Sequence, residues 1–469
     1  MLFNSFVFLI FALFFYAIWN CLGERKNLRW AFLTAASFLF YGWWDWRFLF
    51  LILASGLLDF YAGKLMRQQP KWRKACLFVS VLGNVGSLAL FKYLFFFTEN
   101  ANGLLQLLGC ECTIPIIKLT LPVGISFYTF QSMSYTIDIY RDELEPTDNV
   151  LHFFSFLAMF PQLVAGPIIR AADLLPQLKK MKDPTREQLW VGLRLVTHGY
   201  FKKVVIADNL APIVNSAFGS TVLNSSLCYW WVVVTMFAFQ IYCDFSGYSD
   251  IARGLGAWMG FDFMVNFDHP YIATSIREFW TRWHISLSTW FRDYVYVALG
   301  GSRAGSFYSH RNLWITMLVS GLWHGAAWTF VIWGGLHAFY VTIERLTNWP
   351  QKVQSLWGGS LICSLIVFFE VWIAWVFFRA TSLTQAVDIV SNMVNPAKWE
   401  MKPLYYIDKL ALFWLFIAIA REAFFYFKLN EKFKGGKYEE YGEPIVLAAM
   451  LTACVYLRGV GSAFIYFQF

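Results

Sequence analysis

The sequence is poor in charged residues. Only 14% of its 469 residues are Asp, Glu, Lys or Arg, whereas 58% are hydrophobic, 20% are aromatic and the mean hydropathy is +0.48. A soluble domain carries about 25% charged residues, so this chain cannot cover itself with a water-facing surface. Long runs without Asp, Glu, Lys or Arg include residues 1–23, 119–137, 150–169, 211–243, 313–343 and 353–369.

Several motif classes are also missing. The eight cysteines form no Cys-x-x-Cys pair and no Cys/His set with zinc spacing, which argues against a disulfide scaffold or a structural metal site. The glycines form no dinucleotide-binding pattern, and Ser246 lacks the preceding glycine of a nucleophile elbow. The formal net charge of +8 is scattered over loops, which argues against nucleic-acid binding.

The apolar runs predict membrane helices, because about 20 apolar residues cross a bilayer as a helix. Further apolar runs, of 11 to 17 residues, lie at residues 48–58, 75–91, 410–420 and 444–457. We predict an all-α integral membrane protein with about ten or more membrane helices, in a single domain over residues 1–469. The first run has no basic residue before Phe3 and no small-residue cleavage site before Glu24, so we predict a retained span rather than a signal peptide.

The basic residues predict how the chain is oriented. Residues 24–29 and 64–74 are rich in Lys and Arg, whereas residues 98–113 contain two glutamates and no lysine. The positive-inside rule therefore places the two basic loops in the cytoplasm and the N-terminus outside.

Residues 244–311 differ from the rest of the chain. They remain aromatic, but charged residues interrupt every potential span. Such a stretch is too charged for lipid and too aromatic for a free loop, so it predicts a re-entrant segment that is buried by other helices or faces a water-filled cavity. Within it, the spacing of apolar residues over 275–292 predicts one amphipathic helix, on which Glu278 can pair with Arg282 and His284 with Ser288.

Two histidines are candidates for function. His324 lies with His337 in an uncharged run, and an ionisable group inside a membrane segment is by default a functional candidate. The alternative is a neutral histidine that only packs against a neighbouring helix. For His284, the alternative is an interfacial helix with Arg and Trp anchors. On one ideal helix His324 and His337 would face different directions, so we predict no metal site from this pair.

A buried imidazole without a metal or nucleotide motif fits acyl transfer to a hydroxyl group. In that chemistry the imidazole takes the hydroxyl proton while the oxygen attacks a thioester carbonyl. The residues alone leave this as one possibility beside the packing alternatives.

The chain also resembles the membrane-bound O-acyltransferases, in particular their bacterial polysaccharide O-acetylation branch. The resemblance runs nearly end to end, and its motifs are specific as a set although each is weak alone. They are Phe3-Asn4-Ser5, Phe40-Tyr41-Gly42-Trp43-Trp44, residues 121–130 (LPVGISFYTF), residues 160–168 (FPQLVAGPI), residues 244–250 (DFSGYSD), residues 278–288 (EFWTRWHISLS), residues 321–325 (GLWHG) and residues 464–469 (FIYFQF).

The resemblance implies roles for particular residues. His324 matches the catalytic histidine of the family, which lies deep in a tunnel joining the two membrane faces, and His284 matches its usual partner. The family fold is a ring of helices that is thinned at its centre. Five further side chains are expected to shape the tunnel, namely Arg282, Trp283, Trp323, Asp244 and Tyr248.

The resemblance also implies a function. The protein would take an acetyl group from a cytoplasmic thioester, acetyl-CoA or a similar donor, with no bound cofactor. It would pass the group across the bacterial inner membrane, in contact with membrane lipid, to a periplasmic acetyltransferase partner that esterifies an alginate-like polysaccharide. The same chemistry could serve peptidoglycan O-acetylation, another exopolysaccharide or teichoic acid alanylation. A different class of function is a non-enzymatic transporter or scaffold, which no inverted repeat supports.

Overall fold

The computed structural model describes residues 1–163, 166–303, 305–429 and 438–467. These residues form helices and no strand, which confirms the predicted all-α class. The helices are α1 Phe6–Cys21, α2 Lys26–Asp45, α3 Leu49–Gln68, α4 Arg73–Leu88, α5 Leu94–Leu107, α6 Ile125–Tyr140, α7 Val150–Leu157, α8 Phe160–Leu163, α9 Ala171–Lys180, α10 Arg186–Tyr200, α11 Asp208–Gly219, α12 Leu227–Trp258, α13 Ile276–Arg282, α14 Ile285–Phe291, α15 Ser306–His324, α16 Trp328–Thr347, α17 Trp349–Gln354, α18 Gly359–Arg379, α19 Leu383–Val394, α20 Lys409–Tyr426 and α21 Glu443–Tyr456.

Within the described residues, four helical stretches are long and apolar enough to cross a membrane. In two of them, Lys26–Gln68 and Pro70–Leu107, only 28% and 22% of an apolar 18-residue window is buried inside the protein, so most of the side chains in that window face outward. The other two are α12 and α18. This pattern agrees with a multi-pass membrane fold, while the further predicted spans fall on helices that are shorter or more polar, and their number stays a prediction.

Two apolar runs that the sequence predicts as continuous are broken. Residues 150–169 contain α7 and the four-residue α8, because Pro161 lacks the N–H that would continue the first helix; Val164 and Ala165 lie outside the described residues. Residues 211–243 are divided between α11 and α12 by a loop. There Ser226 Oγ accepts a hydrogen bond of 3.2 Å from the Tyr229 amide and caps the start of α12.

The charged segment that begins at residue 244 starts as regular helix, since α12 continues to Trp258. Its charges are paired: Lys203 Nζ lies 2.8 Å from Asp244 Oδ1, and Lys202 Nζ lies 2.6 Å from Asp250 Oδ2. Buried charges need such partners in place of water. The prediction that charged residues interrupt every span over 244–311 is therefore wrong for residues 244–258, which continue α12.

The single helix predicted over residues 275–292 is wrong. The chain forms α13 and α14, which are separated by Trp283 and by His284 in a left-handed conformation (φ 43°, ψ 53°). The predicted Glu278–Arg282 pair is present at 2.9 Å. Ser288 Oγ donates to the Trp283 carbonyl at 3.1 Å rather than pairing with His284. The apolar spacing predicts which residues are buried but not where the helix breaks.

The described chain divides into two compact units, Met1–Gly192 with Ala252–Met264, and Leu193–Ile251 with Val265–Phe469. The single domain predicted over residues 1–469 stays a prediction. In the first unit, buried Asp59 on α3 accepts hydrogen bonds from Ser80 Oγ at 2.5 Å, from Asn84 Nδ2 at 2.8 Å and from Ser132 Oγ. These bonds join α3, α4 and α6 by satisfying a carboxylate that water cannot reach.

In the second unit, α15 and α16 pack closely through two glycines. A Cβ atom on Gly321 would lie 2.3 Å from the Phe330 carbonyl oxygen, and one on Gly334 would lie 2.3 Å from the Met317 carbonyl oxygen. Both distances fall on backbone, which cannot move aside as a flexible side chain could. The two glycines therefore set how closely the helices that carry His324 and His337 approach each other.

We expect Gly334→Val to destabilise the protein by about 1–3 kcal/mol, because the larger side chain forces α15 and α16 apart. The thermal unfolding midpoint of the purified protein in detergent, followed by tryptophan fluorescence, measures the change. Gly335→Val is the matched control, since a Cβ there lies 3.8 Å from its nearest neighbour, Leu318 Cδ2. Equal unfolding midpoints for the two variants would contradict the expectation.

Candidate functional site

The two candidate histidines lie at helix boundaries. His324 is the last residue of α15, and His284 directly precedes α14. The uncharged run that holds His324 and His337 is therefore not one helix, since Gly325–Ala327 separates α15 from α16. A Cβ atom on Gly325 would lie 2.1 Å from the Phe330 ring, so this turn requires a glycine. Both His284 and His324 are buried, at 0% and 3% exposure.

Two aromatic residues connect the histidines. The Trp323 ring lies 6.2 Å from the His284 ring and 4.9 Å from the His324 ring, measured between centroids. The Tyr466 ring lies 6.5 Å from His284 and 5.6 Å from His324. We call these four residues the imidazole cluster. The structure thus brings together the two histidines that the sequence separates by 40 positions.

Polar contacts fix the orientation of the His284 ring. Its Nδ1 lies 3.2 Å from Asn266 Oδ1, and Ser286 donates to the same oxygen from its amide at 3.1 Å and from its Oγ at 2.9 Å. Asn266 Nδ2 in turn donates to Ser249 Oγ at 3.1 Å. Because Asn266 Oδ1 can only accept, a neutral His284 carries its proton on Nδ1, and Nε2 bears the lone pair. The left-handed backbone at His284 is a costly conformation of the kind found at functional sites.

Aromatic side chains enclose the His324 ring. Trp333 lies 4.8 Å away, Phe378 lies 5.3 Å away, and both meet the imidazole edge to face. Together with Trp323 and Tyr466 they keep bulk water from the ring. This enclosure suits a general base, which acts most effectively in a site from which water is excluded.

Several polar atoms near His324 are buried without a partner among the described residues. They are Trp333 Nε1, Trp280 Nε1, His337 Nδ1 and the Tyr466 hydroxyl oxygen. The Trp333 ring lies 4.8 Å from His337, and the Trp280 ring lies 5.0 Å from His337. An unsatisfied buried donor or acceptor costs about 1–3 kcal/mol, so a group of them is expected where a polar substrate binds.

The structure gives varied surroundings to the residues predicted to shape a tunnel. Trp323 touches both histidines. The Trp283 ring packs against the Trp375 ring, with centroids 5.0 Å apart. The Tyr248 ring lies 4.5 Å from the Phe464 ring. Arg282 forms ion pairs with Glu278 and, at 3.4 Å, with Asp268. Asp244 pairs with Lys203 and accepts a hydrogen bond of 2.8 Å from the Ile465 amide. Their tunnel-lining role stays a prediction.

Tyr466 is a site residue that the sequence analysis missed. Residues 464–469 carry a family motif, but nothing in the chain indicates that this motif lies beside His284 and His324. Gln468 and Phe469 lie outside the described residues. The presence of a tyrosine in this motif was the sequence signal that could have pointed to Tyr466. Its contact with His324 joins residues about 140 positions apart, and periodicity does not predict such contacts.

A cavity of about 690 Å³ lies in the second unit. Three arginines from different segments line it, Arg277, Arg292 and Arg345, together with the hydroxyls of Ser302, Ser306 and Ser309. Its lining also includes Ser320, one helical turn before His324, and Trp280, whose ring lies 5.7 Å from Trp333. The cavity therefore has a basic, hydroxyl-rich part and a wall next to the residues that enclose His324.

The described residues contain no group of three or more His, Cys, Asp or Glu side chains placed to hold a metal ion. The eight cysteines, all of which are described, are free thiols.

Residues 140–387, which include both histidines, match the model of the MBOAT, or membrane-bound O-acyltransferase, family. The chain is 38% identical over 460 residues to the probable alginate O-acetylase AlgI of Pseudomonas putida. The alignment covers 96% of this chain and 92% of that protein. It is 34% identical to the peptidoglycan O-acetyltransferase of Helicobacter pylori, over 77% of this chain and 73% of that protein. The teichoic acid D-alanyltransferase of Bacillus subtilis is 30% identical over 53% of this chain and 66% of its own length.

Proposed function

Because the chain belongs to the membrane-bound O-acyltransferase family, we propose that it moves an acetyl group from a cytoplasmic thioester across the bacterial inner membrane for O-acetylation of an exopolysaccharide. Membership makes the chain a multi-pass membrane acyltransferase, which favours the enzyme over the transporter alternative. The observation that carries the proposal is the imidazole cluster, in which two buried histidines meet around Trp323 and Tyr466.

His324 is the general base in this proposal. Its imidazole takes the proton of the acceptor hydroxyl while that oxygen attacks the thioester carbonyl carbon. The carbon–sulfur bond then breaks, and the thiolate takes the proton from the imidazolium and leaves as a thiol. Enclosure by Trp333 and Phe378 keeps water from competing as the acceptor.

His284 supports this step from a fixed position. Its Nδ1–H is held by Asn266, so Nε2 bears the lone pair of the neutral ring and can accept a hydrogen bond from a substrate group. The phenol of Tyr466 completes the set, because its buried oxygen lies on a ring that contacts both imidazoles.

Acetyl-CoA is the proposed donor, and the arginine-lined cavity supports it. A CoA thioester carries phosphate groups, which guanidinium groups bind through charge-assisted hydrogen bonds. The thioester end of the same molecule would have to approach His324, and the cavity wall at Ser320 and Trp280 lies next to the residues around that ring.

We expect Arg277→Gln and Arg345→Gln each to raise the KM for acetyl-CoA about tenfold with kcat unchanged, because each removes one charged hydrogen bond worth about 1.5 kcal/mol. Steady-state kinetics with radiolabelled acetyl-CoA measures this. Arg303→Gln is the matched control, since Arg303 is exposed in the same region but does not line the cavity. A KM that is unchanged in both cavity variants would exclude the cavity as the donor site.

The acceptor and the topology are also proposed. Alginate-like exopolysaccharide is favoured by the alginate O-acetylase relatives, and a periplasmic acetyltransferase would be the partner that receives the group. The Helicobacter pylori relative favours peptidoglycan as a second candidate acceptor. We propose that residues 24–29 and 64–74 face the cytoplasm and that the N-terminus lies outside, on the basis of their charge.

Purified protein in nanodiscs with radiolabelled acetyl-CoA tests the reaction, and cells that lack the gene test the acceptor. We expect thioester turnover by the purified protein and loss of acetyl groups from the exopolysaccharide in the cells. Loss of acetyl groups from peptidoglycan alone would identify the second acceptor. Solute flux without thioester turnover would contradict the proposed acetyl transfer.

A further inference from the structure

Residues 459–466, which we call the 459–466 segment, bring Tyr466 to the two histidines. Gly459 donates from its amide to the Val204 carbonyl at 2.9 Å, and a Cβ atom on Gly459 would lie 2.4 Å from the Asp208 carbonyl carbon. Further along, the Phe464 ring lies 4.5 Å from Tyr248, and the Tyr466 ring lies 4.6 Å from Phe245. The segment is thus packed along its length against α11, α12 and the residues before them.

Three buried charged side chains lie under the 459–466 segment, and we call them the fastening cluster. Lys203 Nζ lies 2.9 Å from Asp208 Oδ1 and 2.8 Å from Asp244 Oδ1. The three side chains are only 1–3% exposed. One lysine facing two aspartates leaves an excess of carboxylate groups that need further hydrogen-bond donors.

The 459–466 segment supplies those donors. Ser462 Oγ donates to Asp208 Oδ1 at 2.6 Å, and the Ile465 amide donates to Asp244 Oδ2 at 2.8 Å. Lys203 Nζ also donates to the Ser462 carbonyl at 3.2 Å. The segment therefore makes three hydrogen bonds to the cluster. Removing the segment would leave buried charges with fewer partners, which is strongly unfavourable.

We infer that Lys203, Asp208 and Asp244 hold the 459–466 segment in place, and that Lys203 is thereby a positioning residue for the transfer step. This rests on the proposed function, because it assigns Tyr466 a place beside His324 and His284. Lys203 acts on the reaction only through the segment. Asp244, which the sequence analysis assigned to the tunnel, fixes the Ile465 amide one residue before Tyr466.

The neighbouring lysine provides a matched control. Lys202 is also buried, lies in the same helical turn, and pairs with Asp250 at 2.6 Å and with Ser246 at 3.0 Å. Lys202→Met and Lys203→Met each remove one buried ammonium group. Lys203 donates a hydrogen bond to the 459–466 segment, whereas the contacts of Lys202 with Asp250 and Ser246 lie outside it. A general loss of stability should therefore affect both variants, and release of the segment should affect only Lys203→Met.

The test combines a labelling readout with kinetics, in full-length protein in nanodiscs. Ile465→Cys places a thiol at a buried position (2% exposed), and its reaction with N-ethylmaleimide is followed on that peptide by mass spectrometry. We expect Lys203→Met to raise the labelling rate about tenfold or more and to lower kcat about tenfold or more with the KM for acetyl-CoA unchanged. Lys203→Arg should restore both, and Lys202→Met should leave both within about threefold of the parent protein.

Unchanged labelling in Lys203→Met overturns the inference whether or not the protein is active. Raised labelling with unchanged kcat overturns the positioning role, since the segment would then move without consequence for transfer. Absence of transfer by the parent protein with acetyl-CoA contradicts the proposed function instead, and the labelling rates of the two lysine variants still decide whether the segment is held by Lys203.

Discussion

We expect His324→Ala to reduce acetyl transfer by about 10²–10⁴-fold, the range that a general base contributes. The His324 ring packs against Trp323, Trp333, Phe378 and Tyr466, and of these four neighbours Tyr466 carries a titratable group. Release of radiolabelled acetyl groups from acetyl-CoA by equal amounts of purified protein measures the rate. His324→Gln should show the same loss, because it fills more of the space left by the imidazole but cannot act as a base.

A second buried histidine provides the control. His152 in the first unit is held by Thr147 Oγ1 at 2.9 Å and by the Leu175 carbonyl at 3.0 Å, which are structural contacts. His152→Gln should keep transfer within about threefold once protein amounts are matched, although it loses stability. Transfer by His324→Gln at the parent rate would exclude His324 as the base, and an equal loss in both variants would point to misfolding.

The sequence predicts the fold class because lipid imposes a simple rule. Long runs without charge must become helices that bury their own backbone groups, so composition alone indicates an all-α membrane protein. It does not predict where helices break. The left-handed turn at His284 and the turn at Gly325 depend on neighbours far along the chain, such as Asn266 and Phe330, which no periodicity records.

The candidate site was predictable in part for the same reason. An imidazole without charged neighbours in an apolar run is conspicuous, so His324 is found from the sequence, and the family motifs add His284. The family resemblance implies that Asp244 helps to shape a tunnel, and this role stays a prediction. In the structure the Asp244 carboxylate pairs with Lys203 and accepts a hydrogen bond from the Ile465 amide. Neither partner could be identified from the sequence, because both lie far from Asp244 along the chain.

Tyr466→Phe tests the residue that only the structure reveals. The substitution removes one oxygen atom and keeps a ring of nearly the same size, so the contacts with Phe245 at 4.6 Å and His324 at 5.6 Å can persist. We expect kcat to fall about 10²-fold with the KM for acetyl-CoA unchanged, because the hydroxyl serves the reacting groups and not donor binding. Steady-state kinetics with radiolabelled acetyl-CoA separates the two constants.

Tyr271→Phe is the matched control, because it also removes one buried hydroxyl. That hydroxyl donates to the Ala238 carbonyl at 2.6 Å, so its loss should cost about 1 kcal/mol of stability and leave kcat unchanged. The Tyr466 oxygen has no such partner among the described residues, so its removal should not lower stability in the same way. A Tyr466→Phe variant that is less stable but fully active would show that the phenol only packs, and the site would then consist of the two imidazoles and the indoles around them.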